Sequence, residues 1–464
     1  MSLIKSISGI RGTIGGKPGE GLTPIDVVKF TAAYGAWVLE TTGNAKVVIG
    51  RDARLSGDMV SRLVAATLQG LGIDVIDLEL STTPTVEFAV PRENAGGGII
   101  LTASHNPAQW NALKLLNAVG EFISDEEGKA ILAKAEAEDF NFAEVRKLGK
   151  YSIIDDYMDR HIQHVLDLEL VDVEAIKARN FKIVVDAVNS TGGIVVPKLL
   201  RALGVSEVEE MFCTPDGNFP HNPEPLPENL RDIAKKLEKG NFDLGIVVDP
   251  DVDRLALVNE DGSMFGEEYT LVAVADYVLS QTPGNTVSNL SSTRALRDVT
   301  EKRGGTYTAS AVGEVNVVNQ MKAVQAVIGG EGNGGIIYPA SHYGRDALVG
   351  IGLFLTHLAK YGKSISMLRA TYPSYFISKN KIELTPNLDV DDILLKIKAQ
   401  YKNHPINDSD GVKIEFEKEW VHLRKSNTEP IIRIYSESDS EAKAEHLAKK
   451  IMQDIKEVVN ATLN

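Results

Sequence analysis

The sequence predicts an α/β fold with a mostly parallel sheet, passing near its end into an α+β tail. Two observations predict it. Between Val47 and Gly329, short β-branched runs alternate with amphipathic helical stretches, the pattern of strands joined by crossover helices. Beyond Lys381 the alternation stops, and several strand-like runs precede one long helical stretch.

Residues 47–50, 98–101, 183–186, 245–249 and 326–329 each read as a short buried strand, because each is a run of apolar and β-branched residues. Between them, 58–71, 125–138 and 233–238 carry helical periodicity. Residues 155–168 read as a helix joining a first unit to a second. Residues 213–228, rich in Pro and Asn, read as a long loop. The chain changes character over 370–379. Runs at 412–416, 421–423 and 431–435 then read as strands, and 440–460 as a closing helix. Several strands end in Gly, Asp or Ser, which matters because α/β sheets bind ligands beyond the carboxyl ends of their strands.

A length of 464 residues allows three or four domains. With 43% hydrophobic residues there is apolar material for several cores. The net charge of −15 argues against nucleic acid or an anionic membrane as a partner, since both reward a basic face. A small anionic substrate stays open, because it needs only a local cluster of cations. The single cysteine, Cys213, cannot pair within the chain, so a reduced, cytoplasmic setting is expected. Residues 1–12 lack the apolar core of a signal peptide, and no apolar run reaches the length of a membrane span.

Four loops carry chemistry. Thr102-Ala103-Ser104-His105-Asn106-Pro107 follows a strand, which would expose Ser104 as a nucleophile or phosphoryl carrier. The plainer alternative is a turn that caps the next helix. No Gly-x-Ser-x-Gly elbow surrounds the serine, so an acyl-enzyme is not implied. Asp249-Pro250-Asp251-Val252-Asp253-Arg254 sets three carboxylates at alternate positions. They suit a hard cation, magnesium before calcium, and would repel one another without one. An EF-hand is the nearest rival, with Glu260 at its twelfth position. Arg254 occupies the sixth, where that loop needs Gly, and the flanks read as strands. Gly329-Gly330-Glu331-Gly332-Asn333-Gly334-Gly335 allows close backbone approach, and Glu331 and Asn333 can bond vicinal hydroxyls, although a flexible turn reads equally well. Arg424-Lys425-Ser426-Asn427-Thr428-Glu429-Pro430, with Arg433 nearby, suits a phosphate, or is an ordinary polar hairpin.

Taken together and in this order, the four loops resemble the α-D-phosphohexomutase superfamily, over essentially the whole chain. Gly9-Ile10-Arg11-Gly12 resembles its N-terminal loop, and Gly50-Arg51-Asp52-x-Arg54 its first strand-end motif. Lys114 stands where the serine loop's trailing lysine belongs. Three positions depart from the pattern. Asn111-Ala112 replaces Asn-Gly, Asn333 replaces a serine, and Gly313-Glu314-Val315-Asn316 replaces a loop ending in Lys or Arg. The last two look like the variant of archaeal-type phosphoglucosamine mutases.

The resemblance implies four domains around a central cleft: three related α/β domains with mixed sheets, at 1–150, 151–255 and 256–369, and a C-terminal α+β domain at 370–464 that can swing closed. It implies a phosphorylated Ser104 that transfers its phosphoryl to a hexose phosphate and recovers the other phosphoryl from a hexose 1,6-bisphosphate, which also serves as activator. Mg²⁺ would sit on Ser104, Asp249, Asp251 and Asp253, with Arg254 beside the transferring group. Lys114, Arg11 and His105 are the candidates for proton handling. Glu331 and Asn333 would hold the sugar hydroxyls. Arg424, Ser426, Asn427, Thr428 and Arg433 would grip the other phosphate. The expected partner is a small sugar phosphate, glucosamine phosphate ahead of glucose or mannose phosphate, acting on a monomer or homodimer. A sugar-phosphate phosphatase and a non-catalytic binding protein are the rival classes. The first predicts release of inorganic phosphate, and the second tolerates loss of Ser104.

Overall fold

Each buried run read from the sequence lies in a sheet, and the described residues build four of them. The structure, a computed structural model, describes residues 2–6, 9–383, 388–425 and 431–463. The first sheet has seven strands, in the order Leu3–Ser6, Gly9–Thr13, Trp110–Leu116, Gly97–Leu101, Lys46–Arg51, Asp74–Leu80 and Tyr151–Ile153. The second runs Leu255–Asn259, Leu244–Val248, Lys182–Asp186, Glu207–Met211. The third runs Tyr307–Ser310, Asn285–Asn289, Ala326–Glu331, Gly335–Ile337. The fourth runs Phe376–Glu383, Ile431–Ser438, Trp420–Lys425, Val412–Glu415, Ile406–Asn407, and every pair in it is antiparallel.

The first three sheets share a motif. Three parallel strands are laid down with a crossover after each of the first two, and the third strand turns straight back into an antiparallel fourth. That hairpin makes the sheets mixed. Its turn is the serine loop in the first sheet, the acidic loop in the second and the glycine loop in the third. One topological position thus supplies three chemical loops, each beyond the carboxyl end of a fully buried strand or nearly so.

Two expected boundaries fall inside sheets. Leu255–Asn259 pairs along its length with Leu244–Val248, so the second sheet runs past residue 255. Tyr151–Ile153 adds to the edge of the first sheet, beyond residue 150. Gly9–Thr13, expected as a loop, is a strand paired with Trp110–Leu116.

Two helices matter for the site. Thr83–Arg92 is capped by Thr82, whose hydroxyl accepts from the Thr85 amide, and its first turn reaches the acidic loop. Ala347–Tyr361 is capped by Asp346, whose carboxylate accepts from the Leu348 and Val349 amides. One apolar cluster, from Met158 to Tyr372, runs unbroken through the second and third sheets, while the tail has its own from Ile382 to Val458. The tail meets the third sheet's unit through polar contacts. Arg297 donates twice to Glu415 (2.8 and 3.0 Å), and the Lys413 ammonium donates to the Leu290 carbonyl (2.8 Å). Among the described residues no helix is long and apolar enough to cross a membrane.

Candidate active site

The serine and acidic loops meet face to face. Ser104 is buried and takes a left-handed φ of 49°, an uncommon conformation for a residue with a Cβ. Arg54 holds the loop in that shape. Its fully buried guanidinium donates to the carbonyls of Ser104, Asn106 (2.6 Å), Pro107 (2.8 Å) and Trp110 (3.0 Å), and pairs with Asp52 at 3.0 Å. Asp52 in turn accepts from the Thr102 hydroxyl at 2.6 Å. So held, the Ser104 hydroxyl donates to Oδ2 of Asp249 at 2.8 Å and lies 3.3 Å from Nδ1 of His105.

Asp249, Asp251 and Asp253 are fully buried, with one carboxylate oxygen from each within 4.8 Å of the others. They are less uncompensated than the sequence implies. The Lys114 ammonium donates to Asp251 at 2.7 Å and lies 3.5 Å from Asp253. Arg345 donates to Asp253 at 2.6 Å, and Thr83 donates to Asp251 through its hydroxyl. Even so, the Oδ1 atoms of Asp251 and Asp253 are buried without a hydrogen-bond partner. Two orphaned anionic oxygens in one place are what a hard cation would satisfy. The three carboxylates therefore form a possible metal site.

The local fields follow from this packing. Burial, with the charges of Asp253 and Asp251, holds the Asp249 carboxyl well above the usual carboxylate range. Burial acts on Asp251 the same way, but the charge and hydrogen bond of Lys114 outweigh it and hold that group low. Lys114 keeps its proton, since Asp251 and Asp253 together outweigh its burial. His105 is pushed down to about 2 by burial and then by Arg254 and Arg11, so its imidazole is neutral.

A cavity of about 690 Å³ opens onto this centre. Its wall includes Arg11, Ser104, His105, Lys114, Arg254, Glu314, Glu331 and Arg345. Its volume falls in the ~300–1,000 Å³ range common for small-ligand sites. Arg11 donates to the Asn106 side chain at 2.8 Å, and Arg254 lies 3.6 Å from Glu224.

Glu331 is fixed from four directions. It accepts from Asn289 (2.8 Å), the Gly313 amide (3.2 Å) and Arg345 (3.0 Å), and the Asn333 amide lies 3.5 Å away. Asn333 itself folds into its loop, its Oδ1 accepting from the Gly335 amide at 3.1 Å, and it is not among the residues lining the cavity. Glycine is needed at 335 because a Cβ there would come within 2.4 Å of Arg345 Cδ. The expected phosphate grip is only partly in view. Arg424 and Arg433 sit directly opposite each other on neighbouring strands, and neither lines the cavity. Arg424 pairs with Asp410 at 2.9 Å, and Asp410 accepts from the amide of Val312 at the cavity wall. Ser426, Asn427 and Thr428 lie outside the described residues.

Arg54, Thr83 and Arg345 gained no role from the sequence. Arg54 stood in a recognised motif, and Arg345 is an ordinary arginine until the fold brings it to Asp253.

Comparison with known proteins covers the same ground. Family models described as phosphoglucomutase/phosphomannomutase α/β/α domains I, II and III match residues 3–142, 157–262 and 266–375, and that family's C-terminal domain matches 385–454. The chain is 36% identical over 444 residues to a phosphoglucomutase/phosphomannomutase of Thermococcus kodakarensis, covering 93% of this chain and 95% of the relative. It is 32% identical to a protein of Methanopyrus kandleri named a probable phosphoglucosamine mutase, covering 97% of each. Among solved structures, a phosphoglucomutase/phosphomannomutase family protein of Burkholderia thailandensis superposes with a TM-score of 0.84 at 27% identity, covering 99% of this chain and 97% of that one.

Proposed function

The chain belongs to the phosphoglucomutase/phosphomannomutase family of isomerases, and from that premise we propose that it moves a phosphoryl group between the 6- and 1-positions of glucosamine phosphate through Ser104. The observation that carries this reading is the 2.8 Å contact of the Ser104 hydroxyl with Asp249, beside two orphaned carboxylate oxygens.

Phosphoryl transfer asks a protein mainly for in-line placement and charge neutralisation. Ser104, when phosphorylated, gives its phosphoryl to the free hydroxyl of a hexose 1- or 6-phosphate. The hexose 1,6-bisphosphate turns over within the cavity, and Ser104 takes back the other phosphoryl. Mg²⁺ on Asp249, Asp251 and Asp253 would supply positive charge at the phosphoserine oxygens. Arg254 and Arg11 add charge from the cavity wall. Lys114, protonated and within the centre, suits a general acid. His105, neutral and 3.3 Å from the serine oxygen, suits orienting it. Glu331 clamps the sugar hydroxyls. Arg424 and Arg433, with Ser426, Asn427 and Thr428, hold the non-reacting phosphate once the tail closes over the cavity and excludes water. A reduced, cytoplasmic setting belongs to the same reading.

Glucosamine phosphate ranks first because the relative from Methanopyrus kandleri carries the phosphoglucosamine mutase name and the 313–316 and 331–335 loops look like that variant. The test is kcat/KM on glucosamine 6-phosphate, glucose 1-phosphate and mannose 1-phosphate, each with a trace of the matching bisphosphate. Turnover of glucose or mannose 1-phosphate at least about tenfold more efficient than that of glucosamine 6-phosphate overturns the ranking and leaves the chemistry standing. Asn333→Ser is expected to change the ratio by less than about tenfold, because Asn333 shapes its own turn and reaches the sugar only through Glu331. A larger change would place the selection in Asn333 itself.

A further inference from the structure

We propose that His161, His342 and Asp346 form a second metal site, a zinc centre outside the acidic loop that ties three parts of the chain together. His161 stands on the helix Tyr157–Leu166, His342 in the turn that follows the strand Gly335–Ile337, and Asp346 at the N-cap of the helix Ala347–Tyr361. Nε2 of each histidine lies 2.9 Å from the same atom, Oδ2 of Asp346. One ligand atom from each residue falls within 4.8 Å of the others. On a tetrahedral zinc, nitrogen and oxygen ligands stand about 3.3 Å apart, so small side-chain shifts enclose the ion.

The other atoms of these side chains are held as a metal site requires. Oδ1 of Asp346 accepts from the Leu348 and Val349 amides at 2.8 and 3.1 Å, which leaves Oδ2 to the ion. Nδ1 of His161 lies 3.0 Å from the Thr85 hydroxyl, and its ring stacks on Phe88 with centroids 4.8 Å apart, so the direction of Nε2 is fixed. Nδ1 of His342 faces Oε2 of Glu87 at 3.6 Å. Glu87 is buried, and neither of its oxygens has a hydrogen-bond partner. A neutral His342 that donates from Nε2 to Asp346 has no proton left for Glu87. With zinc on Nε2 the proton stands on Nδ1, and His161 donates to Thr85 while His342 donates to Glu87. Glu87 offers an accepting oxygen whether ionised or neutral. An acceptor behind each ligating imidazole is the usual second layer of a zinc site.

The donor set chooses the ion. Magnesium takes oxygen ligands, which the acidic loop supplies; two imidazoles and one carboxylate suit zinc. His342, its side chain 13% exposed, gives the ion an entry, while His161 and Asp346 are sealed. Once bound, the ion joins the helix Thr83–Arg92, through Thr85 and Glu87, to the helix Tyr157–Leu166 and to the third sheet's unit. Both ends of that tie reach the acidic loop. Thr83 donates to Asp251, and Arg345, next to Asp346, donates to Asp253.

The test strips the full-length protein with a chelator, restores excess magnesium, and then adds zinc or cobalt(II). The expected result is one zinc retained per chain, a melting temperature raised by about 2 °C or more at a roughly hundredfold excess of zinc over its Kd, and, with cobalt, the visible absorption of a tetrahedral site. The band and the thermal shift should vanish in His342→Gln and persist in Asp249→Asn. A wild type without the cobalt band overturns the proposal, because the two histidines then serve only as hydrogen-bond donors to Asp346. A band that survives in His342→Gln, or one lost in Asp249→Asn, overturns it too, by placing the ion on the acidic loop. Should His342→Gln fail to fold, the wild type decides: a cobalt band unmoved by rising magnesium supports the second site, and one that magnesium displaces overturns it.

Discussion

Ser104→Ala is expected to abolish mutase activity, with kcat falling by at least about 10⁴-fold, because the group proposed to carry the phosphoryl is gone. The fold should survive the change. Alanine keeps the same Cβ, so the strain of a φ of 49° is the same in both proteins. What disappears is one hydroxyl donated to Asp249, worth about 1 kcal/mol. Intact-mass measurement should find about 80 Da of additional mass on a fraction of the wild type and none on the variant, the mass of one phosphoryl. Peptide mapping should place it on Ser104. A label on another residue, or a variant that still interconverts hexose phosphates, overturns the central proposal.

Asp251→Asn cuts activity by about a hundredfold or more and weakens magnesium binding. The variant removes the charge of a proposed ligand outright, and even outer-shell changes at metal sites commonly cost 10–100-fold. Repulsion within the acidic loop, taken by itself, would make the metal-free variant more stable than the wild type. The structure reverses that expectation. Asp251 is the partner of the buried Lys114, and it also accepts from Thr83. Neutralising it leaves an ammonium with only Asp253, at 3.5 Å, and should destabilise the metal-free protein by about 1–3 kcal/mol. Thermal melts with and without magnesium separate the two effects. The wild-type melting temperature should rise with added magnesium and the variant's far less. A variant fully active without magnesium, or one that responds to it as the wild type does, removes the metal assignment.

What could be read from the sequence was local. The run Leu244–Val248 could be read because burial makes a strand apolar, and the acidic loop after it stands out by its three alternate carboxylates. The Ser104 loop stood out in the same way, by residue type at a strand end, and the structure brings it to Asp249. Arg54, Arg345 and Thr83 were not, because their work is done at a distance. Arg54 reaches the Ser104 carbonyl across 50 positions, Arg345 reaches Asp253 across 92, and Thr83 reaches Asp251 across 168. No spacing rule connects such pairs before the sheets are placed. The antiparallel turn-back in the first three sheets was not legible from composition, and mixed sheets were expected only from the resemblance, since Trp110–Leu116 is as buried as a parallel strand and carries no alternation to give away its direction. The strand Leu255–Asn259 crossed an expected boundary for a related reason: its partner, and not its composition, decides which unit owns it.

The apolar cluster shared by the second and third sheets has a calorimetric consequence. Residues from Met158 to Tyr372 pack into one core, so neither sheet can melt and leave the other's core intact. The four sheets of the described residues should therefore give fewer than four heat-absorption peaks, with a separate, smaller one for the tail, whose core from Ile382 to Val458 is its own. Two sheets that melt together also move together. The acidic loop and the glycine loop hang from that common block, so the proposed metal site and the proposed hydroxyl clamp should keep one spacing whatever the tail does.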